Sequence, residues 1–390
     1  MKILLATDLY TPAVNGVVTS TVSLKKSLES LGHEVRVLTL GEIDYITPDR
    51  SVYALSSLNI NKIYPGARVR LFNDRPILRE IIRWSPDVIH TQSEFSTFRM
   101  AKYIAQLLNI PIVHTYHTIY EDYTHYFSPS KKTGRKIVSL FTKKILSRAE
   151  EVIVPTDKVA RLLNCYDVDA PVTVIPTGIE LNKFQNKPSP KELSFLRQKY
   201  NIPEDAFLMV SLGRLAKEKN IEEIISFLSM IQLKPYLLIV GDGPNRHTLE
   251  QQAEHLGLSD RVIFTGMVPP SEIGKFYHLG NLFVSASTSE TQGLTYIEAL
   301  ASGLPALARE DESIEQVILN GKTGYQYENF KEFEAYLYTM MKNRALRQAM
   351  SEYATEFTER HYSSTSFGQQ VEKIYERTLE LHYNHQLLEM

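Results

Sequence analysis

The chain is predicted to be an α/β protein folded as two doubly wound parallel sheets in succession. Three observations predict this. A length of 390 residues is long for one hydrophobic core and comfortable for two. In both halves short apolar runs alternate with helical periodicities, and such alternation yields parallel strands joined by crossover helices. Between the halves, Lys183 to Pro190 reads Lys-Phe-Gln-Asn-Lys-Pro-Ser-Pro, a polar, proline-broken stretch with the character of a linker.

The first half opens with an apolar strand, Lys2 to Thr7, and a loop from Asp8 to Gly16. Val17, Thr21, Leu24, Leu28 and Leu31 then recur at helical spacing, and Gly32 stands where a C-terminal cap belongs. A second strand, Glu34 to Leu40, completes a βαβ unit, whose parallel strands require the crossover. Further strands are expected at Asp87–Thr91, Pro111–His117, Glu151–Thr156 and Val172–Pro176. The second half repeats the scheme with Phe207–Leu212, Tyr236–Val240, Val262–Thr265, Leu282–Ala286 and Pro305–Ala308. Thr365 to Leu388 reads as a closing helix carrying Phe367, Val371, Ile374, Leu379 and Leu381. Open α/β sheets bind ligands beyond the carboxyl ends of their strands, so the loops there are where functional residues are sought.

Composition excludes several classes. With 43% apolar and 23% charged residues the chain is an ordinary globular one, not a disordered one. The single cysteine, Cys165, excludes a disulfide framework and a cysteine-based metal cluster. No apolar run approaches the roughly 18 residues of a membrane span. The opening run Ile3–Ala6 is too short for a signal peptide, so a cytoplasmic location is expected. Charge is uneven: Met1 to Gln185 holds 23 Lys+Arg against 18 Asp+Glu, and the remainder 20 against 27. A basic half and an acidic half are suited to different partners.

The most informative string is Ser289-Glu290-Thr-Gln-Gly293-Leu-Thr-Tyr-Ile-Glu298-Ala-Leu-Ala-Ser-Gly303-Leu-Pro305. Glu290 lies on a loop after a strand, and Gly293 opens a helix. Free backbone N–H groups and the helix dipole favour an anion at such a start, and glycine admits it closely. Upstream, Gly213-Arg214-Leu-Ala-Lys-Glu-Lys219 follows another strand, where Arg214 and Lys219 can neutralise a diphosphate. Gly241-Asp-Gly243-Pro244 and Val262-Ile-Phe264-Thr-Gly266 end or form further strands, while the first half offers Asn15-Gly16 and His114-Thr-Tyr-His117. Asp167-Val-Asp169 spells a D-x-D, but its polar surroundings just before a strand read as a turn.

Together these strings resemble the retaining family-4 glycosyltransferases of the GT-B fold, two Rossmann-like domains facing each other across a cleft. The resemblance spans nearly the whole chain and implies domains at 1–183 and 184–364, with a helix at about 365–390 packing back on the first. Glu290 and Glu298 match the E-x7-E pair that contacts the donor sugar and the ribose. Gly293, Leu294 and Thr295 match positions holding sugar hydroxyls and phosphate; Gly213, Arg214 and Lys219 match the phosphate clamp; Gly241, Val262 and Phe264 match positions around the nucleotide. Gly16 corresponds to a phosphate-facing glycine, although Asn15 replaces the family's first glycine. His117 matches a histidine beside the reacting sugar, whose protonation could respond to the transferred group. In this family the leaving phosphate is thought to take the acceptor's proton. A UDP-sugar co-substrate is implied, with no tightly bound cofactor and no protein-bound divalent metal.

Gly16-Val-Val-Thr-Ser20 and the run from His114 to Tyr126 are similar to bacterial enzymes that glucosylate diacylglycerol from UDP-glucose. That implies an acceptor mouth at Tyr120, Tyr123 and Tyr126. A neighbouring stretch carries Lys131, Lys132, Arg135, Lys136, Lys143, Lys144 and Arg148 among apolar residues, with no acidic residue from Ser128 to Arg148. A second basic region holds Lys62, Arg68, Arg70, Arg75, Arg79 and Arg83. Basic amphipathic segments suit an anionic bilayer surface, here the inner face of the plasma membrane. Nucleic acid is not expected, since no stacking array or binding motif is present. Rival readings are another lipid or sugar acceptor, a galactosyl donor, a non-catalytic membrane module, and a nicotinamide oxidoreductase. The missing G-x-G-x-x-G after the first strand argues against the last.

Overall fold

The structure, a computed structural model, describes residues 1–13, 15–59, 68–70, 75–121 and 130–389. Its contacts divide the chain into two units, one of Met1–Ile179 with the segment from Ser364 onward, the other of Glu180–Ser363.

In the first unit the elements are β1 (Lys2–Ala6), α1 (Gly16–Ser30), β2 (Glu34–Gly41), β3 (Tyr45–Ile46), β4 (Val52–Ser56), β5 (Leu58–Asn59), β6 (Arg68–Val69), α2 (Arg75–Trp84), β7 (Val88–Thr91), α3 (Ser96–Leu108), β8 (Ile112–Thr115), α4 (Lys131–Leu146), β9 (Glu151–Val154), α5 (Asp157–Cys165) and β10 (Val172–Val174). The main sheet runs β10-β9-β8-β7-β1-β2-β4-β3, parallel except for the β3–β4 pair. Strand order reverses between β1 and β7, which makes that junction the sheet's switch point. Successive strand residues point to opposite faces, and the sheet is buried on both. Ile3 and Leu5 join Leu24 and Leu28 of α1 on one face. Leu4 and Ala6 join residues of α2 to α5, including Ile81, Met100, Ile104 and Val159, on the other. Gly32, with φ +87°, ends α1 as a left-handed cap.

The second unit contains α6 (Asn182–Gln185), α7 (Pro190–Lys199), β11 (Leu208–Leu212), a short 3₁₀ turn (Lys217–Lys219), α8 (Ile221–Met230), β12 (Tyr236–Val240), α9 (Arg246–His255), β13 (Val262–Gly266), α10 (Ile273–Leu279), β14 (Leu282–Ser285), α11 (Leu294–Ala301), β15 (Ala306–Arg309), β16 (Gly324–Tyr327), α12 (Phe330–Lys342) and α13 (Arg344–Tyr362). Its sheet is wholly parallel, ordered β13-β12-β11-β14-β15-β16, with the switch point between β11 and β14. One face packs Met209, Ile239 and Val284 against α8, α9 and α12 through Ile224, Leu249 and Phe333. On the other, Phe283 meets Tyr277 of α10 and Tyr296 of α11, with ring centroids 6.0 and 5.3 Å apart.

The stretch expected to be a linker is largely structured. Lys183 to Gln185 lie in α6, where the Phe184 carbonyl accepts from His278 Nε2 at 2.7 Å. Ser189 caps α7 in a reciprocal capping box with Glu192, and Pro190 takes the first helical turn, where its missing N–H costs nothing. The Asp167-Val-Asp169 string sits in the turn after α5, with Asp167 at φ +52°.

The last helix, α14 (Ser364–Glu389), belongs to the first unit. Phe367, Val371, Ile374 and Tyr375 complete the face formed by α1. The Tyr375 hydroxyl reaches His90 Nδ1 at 2.6 Å, and His90 Nε2 meets Thr115 Oγ1 at 2.7 Å. Burial drives the His90 imidazole well below its ordinary value, so it stays neutral. Phe367→Ala should cost roughly 3–5 kcal/mol, the range for truncating a buried aromatic. Urea unfolding followed by near-ultraviolet circular dichroism measures it, and a midpoint like that of the unsubstituted chain would show that α14 is dispensable to this core.

Candidate functional site

In the second unit the residues singled out from sequence gather at the carboxyl ends of β11, β12, β13 and β14. The loops there are laced backbone to backbone. Gly213 N donates to Val240 O at 3.0 Å, Leu215 N to Asp242 O at 3.0 Å, and Gly241 N to Gly266 O at 3.1 Å. Gly241 must be glycine: its φ is +133°, and a Cβ would stand 2.0 Å from Gly213 O. Gly266, the last residue of the Val262-to-Gly266 string, is the end of β13 that reaches this cluster. Val262 stands at the other end of the same strand. It pairs with Leu237 at the amino end of β13, and its side chain is buried in the core with Leu249 and Leu258. Phe264 lies between them, partly buried.

Beyond β11 the chain makes the Lys217–Lys219 turn and then starts α8. The Glu218 carbonyl accepts from Thr288 N at 3.0 Å, which ties this loop to the one after β14. Across the tie, Lys219 Nζ meets Glu290 Oε1 at 2.6 Å, with the carboxylate nearly buried and the ammonium about one-third exposed. Arg214 is partly exposed on the same β11 loop. Asn220, at φ +48°, holds Glu223 Oε2 at 3.1 Å through its side chain, and Glu223 pairs with Arg309 at 2.7 Å. The turn carrying Lys219 is thereby anchored from behind.

Gly293, at φ +75°, is the residue before α11, and a Cβ there would stand 2.6 Å from the Tyr296 ring. The Tyr296 hydroxyl donates to Ser285 Oγ at 2.8 Å, fixing the helix start to β14. Leu294 and Thr295 occupy the first turn, whose amides have no partners within the helix. Further along, the Tyr277 hydroxyl donates to Glu298 Oε2 at 2.8 Å. Burial pushes the Glu298 carboxyl up to about 7, against that hydrogen bond and the more distant Lys183. Tyr277 is held well above its ordinary value by its own burial and by Glu298. A cation pair, a helix start and two carboxylates around one switch point can hold a sugar diphosphate.

In the first unit, Asn15 caps α1, its side chain accepting from Val18 N at 2.9 Å. Gly16 is the exposed first residue of that helix, so the capping asparagine already satisfies one of the free N–H groups there. His117 lies two residues beyond β8, with Nε2 2.7 Å from Gln92 Oε1. Desolvation and the neighbouring His114 push its pKa down to about 3. The imidazole is therefore held neutral at pH 7. Sequence reading missed what surrounds it. Asp8 accepts from Thr97 N and Oγ1 at 2.8 and 2.9 Å, and burial raises its carboxyl to about 6. Glu94 Oε2 accepts from the Tyr120 hydroxyl. The signal available was positional: Asp8 follows β1 and Glu94 follows β7, the two strands that flank the switch point.

Tyr123 and Tyr126 lie outside the described residues, as does Lys62. On α4, Lys132, Lys136 and Lys144 are exposed together with Ile137 and Leu140, while Val138 and Leu146 face the core. Lys131 begins this helix and Lys143 is partly exposed. Arg135 is engaged by Glu121 at 2.9 Å. Of the second basic region, Arg68 is tied to Ser57 and Arg70 to Ser56, whereas Arg79 and Arg83 are exposed on α2. Among the described residues no helix is long and apolar enough to cross a membrane.

Two doubly wound parallel-sheet units, each with its strand order reversing at a switch point, define an α/β protein of the GT-B kind. Residues 14–183 match the family model for Glycosyltransferase Family 4, and residues 194–357 that for Glycosyl transferases group 1. The chain is 39% identical to the alpha-monoglucosyldiacylglycerol synthase of Streptococcus pneumoniae over 84% of its own length and 75% of that protein. It is 33% identical to the alpha-monoglucosyldiacylglycerol synthase of Acholeplasma laidlawii over 96% of both. In fold it is similar to HepE of Anabaena, crystallised with UDP and glucose, at a TM-score of 0.76 and 19% identity, covering 97% of this chain and all of that one. The chain belongs to the family-4 glycosyltransferases.

The raised Glu298 carboxyl has a thermodynamic consequence. Between about 4.5 and about 7 the folded protein retains a proton that the unfolded chain has released, so stability falls as pH rises through that window. Glu298→Gln should remove this share of the slope. Melting temperatures of both proteins from pH 4.5 to 8 measure it, and parallel curves would place the Glu298 titration elsewhere.

Proposed function

We propose that the chain transfers glucose from UDP-glucose, with retention of configuration, to the 3-hydroxyl of 1,2-diacylglycerol at the inner face of the plasma membrane. The observation that carries this is the Lys219–Glu290 pair beside the α11 start, at the second unit's switch point. Two relatives of at least 33% identity bear the name of the corresponding synthase.

In this reading Arg214 and Lys219 hold the diphosphate, and the amides of Gly293, Leu294 and Thr295 meet phosphate and sugar oxygens. Glu290 accepts from sugar hydroxyls and Glu298 from the ribose. Gly213 and Gly241 let the nucleotide lie close to the backbone. As the glycosidic bond to the β-phosphate breaks, negative charge grows on the leaving oxygens, and cations already in place stabilise it without reorganisation. The leaving phosphate takes the proton of the incoming hydroxyl, so no side chain need serve as base. On the family resemblance His117 corresponds to the histidine beside the sugar and Gly16 to the phosphate-facing glycine, and no protein-bound metal is called for.

Lys219→Ala and Glu290→Ala should each lower kcat by at least about a hundredfold. The assay is transfer from radiolabelled UDP-glucose and UDP-galactose to diacylglycerol in phosphatidylglycerol vesicles, with the lipid product identified. Full activity in either folded variant would defeat the assignment. Label accumulating only on an already glycosylated lipid would move the acceptor.

The exposed lysines of α4 provide the membrane contact. Lys132→Glu with Lys144→Glu should weaken binding to phosphatidylglycerol vesicles about tenfold or more, since each cation near the surface contributes roughly 1 kcal/mol. Cosedimentation measures this, and unchanged binding would remove α4 from the interface.

A further inference from the structure

The first unit's switch point holds a group of polar atoms that its own fold leaves unsatisfied. Among the described residues, Glu94 Oε1, His114 Nε2, Gln92 Nε2 and Asp8 Oδ2 are all buried without a hydrogen-bond partner. Buried polar atoms of native proteins are almost always satisfied by protein, water or ligand, so such a cluster marks a place where something binds. Glu94 and His114 are 4% and 0% exposed, and the two unsatisfied atoms face each other at 3.4 Å. That is too long for a good hydrogen bond. It suits a third atom that touches both.

The chemistry of the pair specifies a hydroxyl. Glu94 Oε2 is occupied by the Tyr120 phenol, so Oε1 remains as an acceptor. Tyr120 is raised well above its ordinary value by burial and by Glu94, and it remains a donor. His114 Nδ1 lies 2.7 Å from Thr91 Oγ1. When that hydroxyl donates to Nδ1 rather than to the Val113 carbonyl at 3.3 Å, Nε2 carries the proton and points it at the carboxylate. A hydroxyl can give a proton to Oε1 and receive one from Nε2.

The next residue supplies the apolar half. Phe95 is half exposed, stacked on Phe141 of α4 at 5.7 Å and set edge-on to Tyr120 at 5.9 Å. Leu140 and Ile137 continue the exposed apolar surface along α4. A carboxylate turned inward and a phenyl ring turned outward, one residue apart, match a molecule with a hydroxyl head and hydrocarbon behind it. We infer that Glu94 Oε1 and His114 Nε2 position the free hydroxyl of diacylglycerol before its proton passes to the leaving phosphate, with its first acyl carbons against Phe95 and Phe141.

This inference rests on diacylglycerol being the acceptor, and the experiment separates the two. Glu94→Gln, Phe95→Ala and the unsubstituted full-length chain are compared for UDP affinity by calorimetry. They are also compared for transfer from UDP-glucose to dioleoylglycerol at varied mole fraction in phosphatidylglycerol vesicles. Glu94→Gln should raise the KM for dioleoylglycerol roughly tenfold, the effect of spoiling one buried hydrogen bond to a charged group. UDP affinity should stay within twofold. Phe95, being exposed, can be truncated without threatening the fold, and Phe95→Ala should raise the same KM. An unchanged KM in both variants would overturn the inference, as would a parallel loss of UDP affinity. Should the unsubstituted chain glucosylate a different lipid alcohol, the acceptor reading falls by itself. The same comparison on that lipid then decides Glu94.

Discussion

The arrangement of the second unit depends on one ion pair. Lys219 and Glu290 come from loops after two strands that part company at the switch point, and they meet at 2.6 Å. Either charge alone at that depth would be costly, because partial burial removes water that would otherwise solvate it. Together they hold each other in position before any ligand arrives. On the proposed function such a pair is also easily re-paired, since a diphosphate would offer Lys219 a stronger anion and sugar hydroxyls would offer Glu290 neutral donors. Stabilisation of the empty site and readiness to receive substrate thus come from the same two side chains.

The backbone supplies the precision that the ion pair lacks. Gly213, Gly241 and Gly266 belong to three adjacent strands, and their loops are hydrogen-bonded to one another. No side chain intervenes, so the spacing of these loops is set by backbone contact. Behind Lys219, the chain from Asn220 through Glu223 to Arg309 performs the corresponding task with side chains.

Much of this was legible in the sequence, and the exceptions have physical reasons. The Tyr236–Val240 strand was read to the residue because a fully buried parallel strand is a continuous apolar run. The β4 strand, Val52–Ser56, and β16, Gly324–Tyr327, went unread, being short and lacking helical partners of obvious period. Glu290, Glu298 and Gly293 were singled out because motif and strand end coincide. Val262 lies at the opposite end of its strand, since a motif does not say which end a residue occupies; register does. Asp8 and Glu94 escaped notice because single carboxylates in loops carry no signal until the sheet order places their loops side by side. The linker was overcalled because Pro-Ser-Pro marks a helix start as readily as a break.

The return of α14 to the first unit inverts the order in which the protein can be completed during synthesis. Ser364 N donates to Ile179 O at 3.0 Å, so the chain re-enters the first unit beside the point where it left. Everything from Glu180 to Ser363 is thus an insertion into a fold begun earlier. A ribosome releases the second unit whole while the first still lacks Phe367, Val371 and Tyr375 from its core. The unit begun earlier must wait, one apolar face open, until α14 has emerged.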